Sequence, residues 1–383
     1  MAELACNLSE VYQPPIHSQP VLSIVIPSYN RANELALAIG SISEQIKDGL
    51  ENKVELVLSD NASGEAAAGV IKAMAARWPF ISYFMNERDE GGYFNLFSAP
   101  WRARGLYTWT FGSDDALLEG GVAHVVGQIE REAPSFMTLN KRVANADLSE
   151  LLSENINSTP DRRFDTFIDL FCAMGVNQLA FISAQIEHTD TARQLDARAF
   201  LRCETRHPHV AAFLKKHAHR PAFYSRSNHL LHRVDNSQML DYHSGNFHDY
   251  AITLPRLLWQ VNEEVAGPKD LFERITGNKN VQSYDPPQVT FVDSIFENML
   301  RAMGFGSLLS HADYRFYETA LAQCRSDRWG QFEQLWDYSR QLTGLIDQFN
   351  TADAALKAAR QAAMNTSAVF TQPTGAAGQP SGL

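Results

Sequence analysis

Between residues 21 and 139, short apolar runs alternate with stretches of helical period, and this alternation constrains the fold more than any other feature of the chain. Residues 21–26 form an apolar run closed by Pro27, as expected of a buried strand reaching its carboxyl end. Leu35, Ile39, Ile42 and Ile46 then recur at spacings of four, three and four, which puts them on one face of a helix that Asn30 or Asn33 can cap. The pattern repeats with a strand at 54–58, a helix at 66–77 that turns Val70, Ile71 and Met74 inward, and a strand at 81–85. A helix at 93–102, which Pro100 kinks or ends, leads to a strand at 106–111. A helix at 119–129 and a strand at 136–139 complete the series. Such alternation predicts an α/β fold with a mostly parallel, Rossmann-like sheet flanked by helices, and it places ligands beyond the strand ends.

Past residue 139 the pattern changes. Residues 144–163 are polar and read as a long surface loop, 164–171 as a short helix and 179–183 as one more strand. Eight of the 12 histidines fall between His207 and His248, a second place where function is expected. Beyond Asp249 the chain turns mainly helical, with apolar stripes at Val292, Ile295, Phe296, Met299 and Met303, at Tyr317, Leu321 and Cys324, and at Phe332, Leu335, Trp336, Leu342 and Ile346. The Thr-, Gly-, Pro- and Ala-rich tail after Asn365 is expected to be disordered. A net charge of −11 argues against nucleic acid as a partner. The four cysteines are too dispersed for a disulfide framework or zinc knuckle, and residues 1–20 lack the basic cap and apolar core of a secretory signal. A cytoplasmic location is therefore expected, with no membrane-spanning run.

Three loops carry the chemistry. Pro27-Ser28-Tyr29-Asn30-Arg31 follows the first strand, Asp60-Asn61-Ala62-Ser63 the second, and Phe111-Gly112-Ser113-Asp114-Asp115 the strand ending near 111. An Asp at a strand end can accept from a base imide or a ribose hydroxyl, and Tyr29 offers a face for stacking. Read more plainly, Asp60 caps the next helix and Pro27 shapes a turn. The paired aspartates repel one another unless a cation, an arginine or a network offsets them. A divalent cation bridging a diphosphate is one explanation, and an Asp cap beside a solvated carboxylate is the other.

Together these loops resemble the nucleotide-sugar site of family 2 glycosyltransferases, which have the GT-A fold. The resemblance runs through Ile24-Val25-Ile26-Pro27-Ser28-Tyr29-Asn30-Arg31, Ser41-Ile42 with Gln45, Ser59-Asp60-Asn61-Ala62-Ser63, Asn86, Gly91, Asn95 and Gly105 to Ser113-Asp114-Asp115. It implies an inverting, metal-dependent transfer from a nucleoside-diphosphate sugar to a glycan or lipid-linked glycan. Pro27, Tyr29, Asn30, Arg31, Asp60, Asn61, Asn95, Arg102, Asp114 and His232 would bind the donor, and Asp115 would hold Mg²⁺ or Mn²⁺. Where the common family pattern carries a further acid, this chain has Gly112. The implied organisation is an N-terminal extension at 1–20 and a GT-A catalytic domain at 21–250, with a donor half at 21–130 and an acceptor half at 131–250. A mainly helical C-terminal domain at 251–364 and the tail at 365–383 follow. The C-terminal helices would serve for peripheral contact with the inner face of a bacterial plasma membrane, or for homo-oligomer formation. The pattern is most similar to deoxy- and dideoxyhexose transferases of O-antigen synthesis, the abequosyltransferase group.

On the acceptor side, an inverting transfer needs a base beside the attacking hydroxyl. Glu204 is the first candidate, and His209 in His207-Pro208-His209 is the second; Asp196 reads as helix surface. Apart from the resemblance, the histidine tract could bind zinc, although its spacing is irregular. A noncatalytic nucleotide-sugar or carbohydrate-binding module is the alternative of a different class. Nucleotidyl transfer is disfavoured because the first loop lacks the glycines and lysine that grip phosphate.

Overall fold

The computed structural model describes residues 7–78, 80–145, 147–153, 159–194, 197–201, 203, 205–233, 254–268 and 271. Its main sheet begins at an edge, where β1 (Leu8–Tyr12) lies antiparallel to β4 (Ile81–Asn86). Beside β4 run β3 (Val54–Asp60), β2 (Leu22–Ser28) and β5 (Tyr107–Thr110), all parallel. These four strands realise the predicted alternation, and their carboxyl ends bring the three candidate loops to one edge. Ile24 and Ile26 face one side of the sheet and Val25 the other, all fully buried, which is why β2 reads as a continuous apolar run.

Helices α1 (Ala32–Ser43), α2 (Glu65–Arg77) and α4 (Gly121–Glu132) cover one face, packing Leu35, Ile39, Ile71, Val122 and Ile129 against Ile24, Leu56 and Trp109. In α2 the buried positions are Ala67, Ile71 and Ala75, with Val70 and Met74 only half-buried. The other face holds α3 (Gly92–Arg102), whose Ala99 meets Val25, Val57 and Phe84. This helix accommodates Pro100 within its last turn and stops two residues later. Gly105, after α3, must be a glycine because a Cβ there would sit 2.7 Å from the Ser23 nitrogen. Its N–H donates to Ser23 Oγ at 2.7 Å, while Glu55 accepts from Ser23 Oγ at 2.5 Å and from Arg104 Nε at 2.7 Å.

Beyond β5 the sheet departs from a simple parallel series. β11 (Gln185–His188) runs antiparallel between β5 and β7 (Phe136–Leu139), and β12 (Ala222–Ser225) and β10 (Arg162–Phe164) complete the far side. The expected strand at 179–183 is instead the end of α5 (Phe167–Ala180), which bends at Gly175, followed by a 3₁₀ turn, and the strand comes after it. The expected loop at 144–163 contains β9 (Leu151–Ser153) and the start of β10. A second, four-stranded sheet joins β6 (Ala116–Leu117), β13 (Leu230–Arg233), β8 (Arg142–Ala144) and β9, so segments far apart in sequence meet beside the third loop. Two short elements, α6 (Thr189–Ala192) and α7 (Pro208–His217), pack over β11 and β7, and α8 (Leu254–Glu264) lies against α7. The amphipathic stripes between 292 and 346 and the tail lie outside the described residues, among which no helix is long and apolar enough to cross a membrane.

Candidate active site

The first two loops are tied together at the carboxyl edge of the sheet. Asn30 adopts a left-handed backbone with φ 53°. Its N–H donates to Ser63 Oγ at 2.8 Å and its Oδ1 accepts from the Gly64 N–H at 2.8 Å. Asp60 ends β3 and is 1 % exposed. Its Oδ2 accepts from the Ser63 N–H at 2.9 Å within the loop and does not cap α2, which follows Gly64 with no side-chain cap, whereas Oδ1 is buried with no hydrogen-bond partner among the described residues. An ionised carboxylate with one such oxygen can take an N–H or O–H from a ligand. Asn61 is fixed beside it: Oδ1 accepts from Asn86 Nδ2 at 2.9 Å and from the Glu90 N–H at 3.0 Å, and Nδ2 donates to Asp89. Tyr29 is exposed at the rim and Pro27 is half-buried behind it.

Asn95 and Arg102 lie deeper than sequence suggested. Asn95 Nδ2 donates to the Ser59 carbonyl at 2.8 Å, and Arg102 reaches Ser59 Oγ and, at 2.7 Å, Asn86 Oδ1. Arg102 is 6 % exposed, so it braces the ends of β3 and β4 from beneath instead of standing at the rim.

The third loop is joined to the first by an ion pair between Arg31 and Asp114, both half-exposed. Asp115 points inward. Its Oδ2 accepts from Ser183 Oγ, and its Oδ1 accepts from His232 Nδ1 and from the Arg233 N–H, each at 3.2 Å. The two neighbouring carboxylates thus face different partners, which offsets their mutual repulsion. A side chain at Gly112 would displace this arrangement: its Cβ would lie 2.8 Å from Ser183 Oγ, 2.9 Å from Asp114 Oδ1 and 3.0 Å from Asp115 Oδ2. An acid at this position would require the Ser183, Asp114 and Asp115 side chains to shift. Lys141, half-buried nearby, sets its Nζ 3.9 Å from the centre of the Phe181 ring. Burial pulls its ammonium down to about 8, against the opposing pull of Asp115.

Among the described residues no three His, Cys, Asp or Glu side chains form a set able to hold a metal alone. A cation shared with a diphosphate needs less from the protein, since Mg²⁺ commonly takes one or two carboxylates and fills its remaining positions with phosphate oxygens and water. Asp115 supplies one such carboxylate, oriented by His232 Nδ1 at 3.2 Å, and the residues fit a shared cation on that basis.

On the acceptor side, Glu204 and Asp196 lie outside the described residues. His209 is buried at the start of α7; its Nε2–H donates to the Ala180 carbonyl at 2.9 Å and its ring packs on Phe213. It lines a cavity with Phe97, Trp101, Ile182, Glu187 and Lys216. Burial would raise the carboxyl of Glu187, yet Lys216 and His217 outweigh that and hold it at about 2. His217 Nε2 donates to Glu187 Oε2 at 2.8 Å, and its Nδ1 accepts from Ser135 Oγ at 2.9 Å. Burial keeps this imidazole below its ordinary value, with Glu187 opposing. Sequence reasoning missed Ser183, Lys141, Arg233 and Glu187; none carries a local pattern, because each reaches its position through the strand order beyond β5.

Comparison with known proteins agrees with this geometry. Residues 23–184 match glycosyl transferase family 2. The chain is 31 % identical over 132 residues to abequosyltransferase RfbV of Salmonella typhimurium, spanning 34 % of this chain and 39 % of that protein. It is 31 % identical over 128 residues to the GalNAc(5)-diNAcBac-PP-undecaprenol beta-1,3-glucosyltransferase of Campylobacter jejuni, spanning 30 % and 40 %. The chain thus covers well under half the length of either relative. TarS 1-349 of S. aureus superposes with a TM-score of 0.50 at 10 % identity, over 84 % of this chain and 87 % of TarS 1-349, a likeness of fold. Over residues 23–184 the chain is therefore similar to glycosyl transferase family 2, on a fold consistent with GT-A.

Proposed function

We propose that this chain is an inverting glycosyltransferase that moves a hexose from a nucleoside-diphosphate donor to a glycan or lipid-linked glycan. The observation that carries the reading is Asp60 Oδ1, a buried acceptor without a partner at the sheet edge where the three tied loops meet. In this reading Asp60 accepts from the base or ribose, and Tyr29, Asn30 and Asn61 shape the surrounding wall. Arg31 and Asp114 lie toward the ribose and diphosphate. Asp115 would hold Mg²⁺ or Mn²⁺ against the diphosphate, with His232 beside it at the donor, and the ion would offset the charge of the departing group.

Glu204 is kept as the first candidate for the base that takes the acceptor proton and His209 as the second, since an imidazole whose Nε2–H donates to the Ala180 carbonyl carries its basic lone pair on Nδ1. The match to a Salmonella abequosyltransferase supports a deoxyhexose donor, and the Campylobacter relative, named for an undecaprenol-linked substrate, supports a lipid-linked acceptor. A cytoplasmic site at the inner membrane face, in bacterial surface polysaccharide synthesis, follows from that pairing.

The test is calorimetry with UDP, dTDP, GDP and CDP in Mg²⁺. At least one should bind, and Asp60→Asn should weaken that one about tenfold, the loss of one charge-assisted hydrogen bond. Failure of all four to bind the wild type would reject the donor reading, and unchanged affinity in the variant would reject the role of Asp60. Product NMR showing retained anomeric configuration would reject the single displacement.

A further inference from the structure

The Lys141 ammonium stands near the Asp115–His232 pair. The Phe181 ring that lies 3.9 Å from Lys141 Nζ also meets the His232 ring edge-on, with centres 4.5 Å apart. In the small sheet His232 is the register partner of Val143. Lys141 directly precedes β8, and its ammonium reaches the same Phe181 ring that His232 meets. Asp115 already accepts from Ser183, His232 and the Arg233 N–H, and among the described residues no carboxylate forms an ion pair with Lys141. A half-buried ammonium over an aromatic ring, drawn only by an Asp115 carboxylate already shared among three other donors, favours an incoming anion.

We propose that Lys141 binds the diphosphate of the nucleotide donor, as a protein-borne cation beside the Asp115–His232 pair. The inference rests on the donor reading above. In the transfer the bond from the anomeric carbon to the diphosphate oxygen breaks and its electron pair stays on that oxygen. The acceptor oxygen bonds to the same carbon and loses its proton to the base. The ammonium of Lys141 lies where it offsets the charge that grows on the leaving group. It supplies positive charge in a site where Gly112 stands in place of an acid that could help hold a metal.

The experiment compares each of UDP, dTDP, GDP and CDP with its own nucleoside by calorimetry in excess chelator, on the full chain. The wild type should bind its preferred diphosphate at least tenfold more tightly than the nucleoside. Lys141→Met, whose stem still covers Phe181, should lose about tenfold of that preference with nucleoside affinity unchanged, and Lys141→Arg should keep it within threefold. The ratio within one variant does not depend on the fraction that folds. A wild-type ratio near one in chelator, an unchanged ratio in Lys141→Met, or an equal loss in Lys141→Arg would each overturn the inference. Diphosphate binding by the wild type in Mg²⁺ would leave the donor reading standing in every one of those cases.

Discussion

Substitution of Asp115 separates its charge from its hydrogen bonds. In Asp115→Asn the retained Oδ1 still accepts from the Arg233 N–H, now 3.2 Å away. The new amide can donate to Ser183 Oγ, and His232 Nδ1 can still donate to the retained Oδ1. The expected loss of stability is below about 1 kcal/mol. Asp115→Ala instead strands a backbone N–H, an imidazole and a hydroxyl in a buried place, at about 1–3 kcal/mol for each group that finds no water. The functional losses should be alike, because both remove the carboxylate that would share a cation with the diphosphate. Mg²⁺ should then no longer tighten nucleoside-diphosphate binding, and transfer should fall on the order of 10²-fold. Calorimetry with and without chelator reads the first effect, single-turnover transfer the second, and thermal unfolding the cost to the fold. An Asn variant with wild-type rate and wild-type response to Mg²⁺ would refute the assignment, and one as unstable as Ala would make Asp115 structural.

Gly112→Asp, which restores the acid of the common pattern, should lower both unfolding temperature and donor affinity, because its Cβ displaces the Ser183 bridge; a gain in metal-dependent transfer would contradict this. Arg102→Met should destabilise the protein by about 2–3 kcal/mol through its lost bonds to Ser59 and Asn86, and a selective loss of diphosphate over nucleoside binding without destabilisation would instead place Arg102 in the site. Glu187 titrates at about 2 when folded, below its ordinary 4.5, so its contribution is present above pH 4.5 and lost as pH falls toward 2. That shift corresponds to an upper bound on the order of 3 kcal/mol. Lys216→Met should cost about 3–5 kcal/mol at pH 7 by leaving Glu187 short of a partner, and adding Glu187→Gln should recover most of it in urea unfolding. An additive double variant would refute the pairing.

The donor half was legible because its chemistry and its periodicity sit in the same short stretches. β2 and β3 are mostly apolar and β5 carries Tyr107 and Trp109 between threonines, each strand runs on at once into its loop, and parallel pairing delivers all three loops to one edge. Reading Asp60 and Asp115 therefore required only the strand count. The acceptor half is different. β11 enters antiparallel between β5 and β7, and it is four residues long with alternating polar positions, Gln185 and Glu187 among them. No run of apolar residues announces it, so the apolar stretch at 179–183 was read as the strand. The polar look of 144–163 likewise hid β9 and the start of β10, because edge strands need no apolar face of their own.

The same contrast explains the treatment of two adjacent carboxylates. A sequence reader sees Asp114-Asp115 and looks for a cation to relieve their repulsion. The fold relieves it with groups drawn from both directions along the chain. Arg31 takes Asp114 from the loop after β2, while Ser183, His232 and the Arg233 N–H take Asp115 from segments 68 to 118 residues later. Asp115 is therefore held in place before any donor arrives, and its orientation does not depend on the ion. Electrostatic contacts that are preorganised in this way reorganise little when charge develops on a leaving group. That makes the small sheet, which carries His232 and follows Lys141, as much a part of the proposed donor site as the loops that first pointed to it.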